Sequence, residues 1–205
     1  PVQIETPNVF SNDATAESAI SGLYNLMQSG NLWIFNGGLS IYSSLSADEI
    51  HRSIQNPDYE AFEKNSLQAL NGQILYSRMW QPCYRSIYHA NAILEGLNKS
   101  VLVTNDLRNQ IMGEVYVIRA LNYFYLVNLF GEIPLILSTN YQENQNMPRT
   151  PIDQVYTQII KDLLEAEKLL SISYPSDERA RPNKLVATAL MARVYLYQKD
   201  WNKSE

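Results

Sequence analysis

The stretch GEVYVIRALNYFYLVNLFGEIPLIL, from Gly113 to Leu137, decides how the chain folds. It is apolar or aromatic at nearly every position, yet its uncharged part, Ala120 to Gly131, is far shorter than the roughly 20 residues that cross a bilayer. Arg119 would also lie in the apolar interior of such a span, where a charge facing lipid is strongly unfavourable. The stretch therefore predicts a buried helix, packed between other helices, and not a membrane span.

This central helix is predicted from about Asp106 to Phe130, with apolar side chains on two of its faces. A charge inside such a helix requires a partner. We expect Arg119 to pair with a carboxylate such as Glu114, or with backbone carbonyls, in a structural and not a catalytic contact.

Apolar residues also recur at helical spacing before the central helix. A first helix begins at Asn12 or Asp13, either of which can cap it. In a second helix Pro82 must lie in the first turn or cause a kink, because an interior proline removes a hydrogen bond. Cys83, the only cysteine, is expected to be buried, and a single cysteine excludes a disulfide framework and a cysteine metal cluster.

The clearest local signal follows the central helix. In RTPIDQVYTQIIKDLLEAEKLL, Thr150 is expected to cap a helix that has Pro151 at its first position. Another helix is predicted from about Lys184 to Gln198, and a further one begins near Asn202. Strand alternation is missing apart from a short extended IPLIL, so the predicted fold class is all-α.

The helices after residue 105 show a repeated arrangement. RALNYFYLVNLFG and TALMARVYLYQKD each place small residues before aromatics and a turn, which resembles tetratricopeptide units. One unit would comprise residues 106–130 and 151–170, and the next would begin at Lys184 and be cut off after Glu205. A truncated repeat leaves an apolar face uncovered. We therefore predict one helical domain over 1–205, a right-handed array of helical hairpins with long loops, from a longer protein.

Charge and motif content argue against several functions. The net charge of −5 gives no basic surface for nucleic acid. His51 and His89 are the only histidines, and neither has a metal-ligand spacing or a nucleophile partner. The adjacent acids Asp48 and Glu49 do not make the opposed pair that a glycosidase needs. The sequence predicts no enzyme activity, no cofactor and no metal.

Four blocks in a fixed order carry a family resemblance. They are LSADEI, WQPCYRSIYHANAILEGL, the opening stretch, and RTPIDQVYTQIIKDLLEA followed by RPNKLVATALMARVYLYQKDW. Together they resemble the N-terminal part of the SusD/RagB family of outer-membrane nutrient-binding lipoproteins, over residues from about 10 to 205.

The resemblance implies a location and a partner. SusD-like proteins are tethered to the outer membrane, at the cell surface, by a lipidated N-terminal cysteine. They capture oligosaccharides or other nutrients and cap a SusC-like TonB-dependent transporter. PVQIETPNVF contains no such cysteine and no leader pattern, which agrees with a leader that is not part of this chain. The membrane contact would be through this anchor alone.

The resemblance also directs attention to the segment that follows LSADEI. Sugars offer hydroxyls and apolar C–H faces, so their sites combine aromatic and polar side chains. The segment HRSIQNPDY contains that mixture, and Trp33 in the preceding loop offers a further aromatic ring. The predicted ligand-binding residues are Trp33, His51, Arg52, Gln55, Asn56 and Tyr59.

Two other functions stay open. A tetratricopeptide-type scaffold would bind a protein segment in its groove and would show a basic or apolar groove. A helical-barrel glycosidase would require opposed acids in a cleft.

Overall fold

A computed structural model describes residues 9–31, 33–68 and 71–205. Most of PVQIETPNVF, on which the expectation of a missing leader rests, lies outside them. The chain forms two compact units, residues 24–85 and residues 1–23 with 86–205. No helix among the described residues is long and apolar enough to cross a membrane.

The described residues are helical, with loops between the helices. In chain order the helices are α1 (Asp13–Gln28), α2 (Leu39–Ser46), α3 (Pro57–Glu63), α4 (Gly72–Leu75), α5 (Gln81–Lys99), α6 (Asn105–Phe130), α7 (Tyr141–Asn144), α8 (Ile152–Leu169), α9 (Lys184–Tyr197) and α10 (Trp201–Ser204). Within these residues the β structure is an isolated antiparallel bridge between Ile133 and Thr150. The all-α prediction is confirmed.

Helix α6 contains most of the opening stretch and is buried on two faces, as predicted. It lies antiparallel to α8. Near its beginning, a Cβ added at Gly113 would come within 2.5 Å of the Leu170 side chain, beyond the end of α8. Near its end, Asn128 accepts a hydrogen bond from the Tyr156 hydroxyl, near the beginning of α8. Helix α9 then packs on α8, and α10 packs on α9.

Arg119 is buried in α6, and its partner differs from the expected one. Its guanidinium donates two hydrogen bonds, of 2.8 and 2.7 Å, to the two carboxylate oxygens of Asp162 on α8. It donates a third, of 2.8 Å, to the side-chain oxygen of Asn91 on α5. The prediction of a carboxylate partner is confirmed, but the choice of Glu114 is wrong. Five residues along a helix turn a side chain by about 140°, so Glu114 lies on a different face.

Glu114 is fully buried and pairs with an arginine from a distant loop. Arg181 donates to its carboxylate from Nε at 2.9 Å, and the same guanidinium pairs with Glu17 on α1. Gln110 donates a further hydrogen bond to Glu114 at 2.6 Å. Arg181 thus fastens the loop between α8 and α9 to two other helices.

The extended segment after α6 is held down by side chains. The Tyr123 hydroxyl accepts a hydrogen bond from the Ile136 N–H at 2.8 Å and donates one to the Ile136 carbonyl at 2.7 Å. Asn91 also donates to the Ile136 carbonyl, at 3.0 Å. Side chains therefore satisfy the backbone groups of Ile136, while Ile133 pairs with Thr150.

The Tyr123→Phe variant is expected to lose about 1–3 kcal/mol of unfolding free energy, because the Ile136 N–H keeps no partner for its hydrogen. Urea denaturation measures this loss, and amide exchange should be faster at residue 136. Tyr141→Phe serves as a control, since Tyr141 is 74% exposed. An unchanged exchange rate at residue 136 would contradict the assignment.

The helix ends show which capping predictions hold. Asn12 accepts a hydrogen bond from the Thr15 N–H at 3.0 Å, which confirms it as a cap of α1. Pro151, not Thr150, is the residue that caps α8, because the Pro151 carbonyl accepts the first helical hydrogen bonds and the Thr150 N–H bonds to Ile133. That prediction is wrong by one residue.

Pro82 stands in the first turn of α5, as predicted, and a π-helical turn, Tyr76–Trp80, precedes it. Cys83 is fully buried, and burial raises the pKa of its thiol, so it behaves as a small apolar side chain.

Candidate functional site

Residues 47–64 comprise the loop between α2 and α3 together with α3 itself, and we call this segment the 47–64 loop. Its two ends are joined, because Ser46 donates a hydrogen bond to the Phe62 carbonyl at 3.1 Å. Asn56 caps α3, and its side-chain oxygen accepts from the N–H groups of Asp58 and Tyr59. The sequence selects this geometry through Asn56-Pro57, in which a capping residue precedes a proline at the first helical position.

Arg52 fixes the shape of the loop. Its guanidinium pairs with Glu60 at 2.7 Å and with Glu63 at 3.1 Å. His51 lies beside it, with Nδ1 at 3.0 Å from a Glu63 oxygen, while 77% of its side chain is exposed. The other ring nitrogen of His51, Nε2, is therefore accessible to a ligand from solvent. The guanidinium of Arg52, in contrast, is used mainly in ion pairs within the loop.

The charge cluster lowers the pKa of Glu60. Hydrogen bonds from Arg52 and then from Lys64 hold it at about 2, against an ordinary value of 4.5. Because the pKa is lowered on folding, the contribution of this carboxylate to the loop is complete above about pH 4.5 and is lost as the pH falls through about 2.

We expect the carboxyl carbon of Glu60, followed by NMR, to titrate with a midpoint near 2 and to move toward 4.5 in the Arg52→Ala variant. Lys64→Ala is the matched comparison and should cause a smaller shift in the pKa of Glu60, because the hydrogen bond from Lys64 lowers that pKa less than the one from Arg52 does. A midpoint near 4.5 in the unaltered protein would show that Arg52 does not hold the loop.

Two further predicted residues belong to the same loop. The Gln55 side chain is exposed, and exposed apolar side chains stand on the same loop at Ile50 and Ile54. Tyr59 is half-buried, with its ring centroid 6.1 Å from that of Tyr42. The loop therefore presents an imidazole, an amide and apolar surface together.

Trp33 lies elsewhere in the same unit and is half-buried. A Cβ added at Gly30 would come within 2.0 Å of its ring, so the ring lies directly against that glycine. The guanidinium carbon of Arg85 is 5.3 Å from the ring centroid. Both contacts reduce the ring surface that is free to stack on a sugar.

The structure thus brings five of the six predicted residues together on the 47–64 loop, and Trp33 has its own contacts. The other unit, residues 1–23 and 86–205, contains a cavity of about 570 Å³ beside Tyr88, and its lining residues were not predicted from the sequence. A sequence signal was available there, because three aliphatic residues, Val101, Leu102 and Val103, stand in succession between the polar Ser100 and Thr104. Among the described residues, no group of three or more His, Cys, Asp or Glu could hold a metal ion.

Comparison with known proteins assigns the chain to a family. Residues 4–196 match the SusD-like family model described as starch-binding associating with outer membrane. The chain is 30% identical to SusD-like protein P2 of Formosa agariphila over 100% of its length and 40% of the relative's. It is 26% identical to SusD-like protein P25 of the same organism, over 98% of this chain and 39% of the relative. The chain therefore spans about 40% of the length of these relatives.

Solved structures agree with that assignment. A laminarin-binding SusD-like protein is 27% identical, with a TM-score of 0.80 over 95% of this chain and 42% of that one. A SusD homologue from Bacteroides thetaiotaomicron is 25% identical, with a TM-score of 0.82 over 100% of this chain and 40% of that one. With the family match over residues 4–196, these likenesses show that the chain belongs to the SusD-like family of carbohydrate-binding proteins associated with the outer membrane.

Proposed function

We propose that the chain is part of a cell-surface protein that captures oligosaccharide without turning it over and passes it to a SusC-like TonB-dependent transporter. The observation that carries the proposal is the family match over residues 4–196. The laminarin-binding relative extends the supported ligand class beyond starch to another glucan. Attachment to the outer membrane through an N-terminal lipid belongs to the same proposal.

In this proposal the oligosaccharide contacts the 47–64 loop. Arg52 and Asn56 hold the loop in one shape through their contacts with α3. A loop that is ordered before the ligand arrives loses less conformational entropy on binding. The exposed His51 and Gln55 side chains can exchange hydrogen bonds with sugar hydroxyls, and the apolar surface near them suits C–H faces.

Binding without turnover is supported by the chemistry of the same loop. Glycoside hydrolysis requires two carboxyl groups about 5–10 Å apart across the substrate. Glu60 and Glu63 are instead paired with Arg52, and Glu60 also with Lys64. Paired carboxylates on one helix hold a loop in place and do not form an opposed acid and base.

Affinity electrophoresis of the intact protein through gels containing starch or laminarin tests the site. Retardation should weaken roughly fivefold in the His51→Ala and Gln55→Ala variants, the loss expected for one hydrogen bond each. Asn109→Ala, an exposed residue of α6, is the matched control and should migrate as the unaltered protein does. Equal retardation of all four proteins would remove the 47–64 loop from the site.

A further inference from the structure

A cavity of about 570 Å³ lies where α5 ends and the loop to α6 begins. Its volume is within the ~300–1,000 Å³ that small-molecule sites occupy. Tyr88, Ala92 and Gly96 of α5 line one part of it, and Val101 and Leu102 of the following loop line another. The cavity belongs to the unit formed by residues 1–23 and 86–205 and has no residue in common with the 47–64 loop.

The loop that forms part of the cavity is fastened on both sides. The Ser100 hydroxyl donates to the Phe10 carbonyl at 2.7 Å and accepts from the Leu102 N–H at 3.1 Å. Arg108 donates to the Ser100 carbonyl at 2.6 Å and to the Val103 carbonyl at 3.0 Å. These bonds fix the cavity's shape without a ligand, so a ligand would not need to order the loop.

The loop between α5 and α6 exposes apolar side chains to solvent. Val101 is 89% exposed, Leu102 is 65% exposed, and the Tyr88 ring across the same cavity is 52% exposed. Neighbouring exposed apolar residues around a concave surface mark contact sites, whereas single ones do not. The Tyr88 hydroxyl has no hydrogen-bond partner among the residues that the structure describes, so it can still donate and accept.

The polar groups of the cavity are one carboxylate, one ammonium and hydroxyls. Glu95 accepts hydrogen bonds from the Thr139 N–H at 2.8 Å and from the Thr139 hydroxyl at 2.6 Å, one on each oxygen. Each oxygen retains a further lone pair. Lys99 lies one helical turn beyond Glu95 and forms no ion pair within the described ranges, so its three hydrogens are available.

The two charges select the class of ligand. Glu95 and Lys99 have opposite charges that largely cancel, so the cavity has no net charge with which to attract an anionic or a cationic ligand. A neutral ring with hydroxyls needs no such attraction. Its hydroxyls can donate to Glu95 and accept from Lys99, while its C–H faces contact Tyr88, Val101 and Leu102.

We propose that this cavity is a second carbohydrate-binding site, separate from the 47–64 loop, which takes a neutral pyranose unit against Tyr88. The inference rests on the proposed function, because the sugar would belong to the oligosaccharide that the protein captures. Two separated contacts on one chain would let a single polymer be held at two points, and the binding would then be tighter than at either contact alone.

Methyl NMR of the intact protein tests the site locally. Laminarin oligosaccharides, maltooligosaccharides and oligogalacturonate are the probes, each titrated while the Val101 and Leu102 methyl resonances are followed. At least one of the two neutral probes should shift these resonances in a saturable way, which gives a dissociation constant. Tyr88→Ala should raise that dissociation constant roughly two- to tenfold, because one aromatic contact is lost. Tyr141→Ala, which alters a 74% exposed tyrosine outside the cavity, should leave it unchanged.

The outcomes separate this inference from the proposed function. A neutral probe whose binding weakens about fivefold in the His51→Ala and Gln55→Ala variants, but which does not shift the Val101 and Leu102 resonances, would overturn the second site only. Shifts that oligogalacturonate causes more strongly than the neutral probes would overturn the neutral assignment. A protein that binds none of the probes would overturn both proposals.

Discussion

In the Asp162→Ala variant the free energy of unfolding is expected to fall by about 3–5 kcal/mol, because a buried guanidinium loses its carboxylate. The side chains of Arg119 and Asp162 are only 7% and 1% exposed. Their two parallel hydrogen bonds of 2.8 and 2.7 Å join α6 to α8. Asn91 satisfies only one donor of Arg119 and carries no charge to offset it.

Urea denaturation of the variant and of the double variant Arg119→Met, Asp162→Leu measures this effect. The double variant removes both charges together and should recover most of the loss, since a buried ion pair is often replaceable by apolar side chains of similar volume. A loss below about 1 kcal/mol in Asp162→Ala would mean that the pair is not buried as described.

The Arg181→Ala variant is expected to lose about 2–3 kcal/mol, because it leaves the fully buried Glu114 carboxylate without its arginine. The loss is smaller than at Asp162, since the Arg181 side chain is 22% exposed and water can take its place. Gln110 continues to donate one hydrogen bond to Glu114.

The matched control for Arg181 is Lys168→Ala, which removes an ion pair whose lysine is 66% exposed. That change should cost less than about 0.5 kcal/mol. Amide exchange should also become faster in the loop of residues 171–183, which Arg181 ties to α1 and α6. Equal stability of the two variants would contradict the role given to Arg181.

The longer helices α1, α5, α6, α8 and α9 were predictable, because apolar residues recur along them at intervals that match helical periods. The short helices α2 and α3 were not, since the stretch that contains them is rich in Gly, Asn and Ser and was predicted to be a loop. The partner of Arg119 was not predictable either. A periodic pattern shows that a charge faces the interior, but it does not say which residue of another helix stands opposite. That depends on the register between α6 and α8, which is set by contacts such as Gly113 against Leu170. Nearness in sequence favoured Glu114, and helical rotation excludes it.

The candidate site was likewise predictable only in part. The family resemblance and the composition together pointed to the residues after LSADEI, and the structure has all five of them on one loop. It also shows that Arg52 and Asn56 use their polar atoms to shape that loop. The aliphatic run that begins at Val101 hinted at an apolar surface beside Tyr88, but the cavity itself could not be found from sequence. It depends on Phe10 and Thr139, which lie far from α5 along the chain and meet it only in the folded unit.

Calorimetric titration of the intact protein with starch and laminarin oligosaccharides, followed by chromatography of the recovered glycan, tests most directly whether it captures a carbohydrate without turning it over. We predict saturable binding of at least one of these glucans and recovery of that glucan at its original length. Absence of binding to both, or recovery of shortened products, would contradict the account.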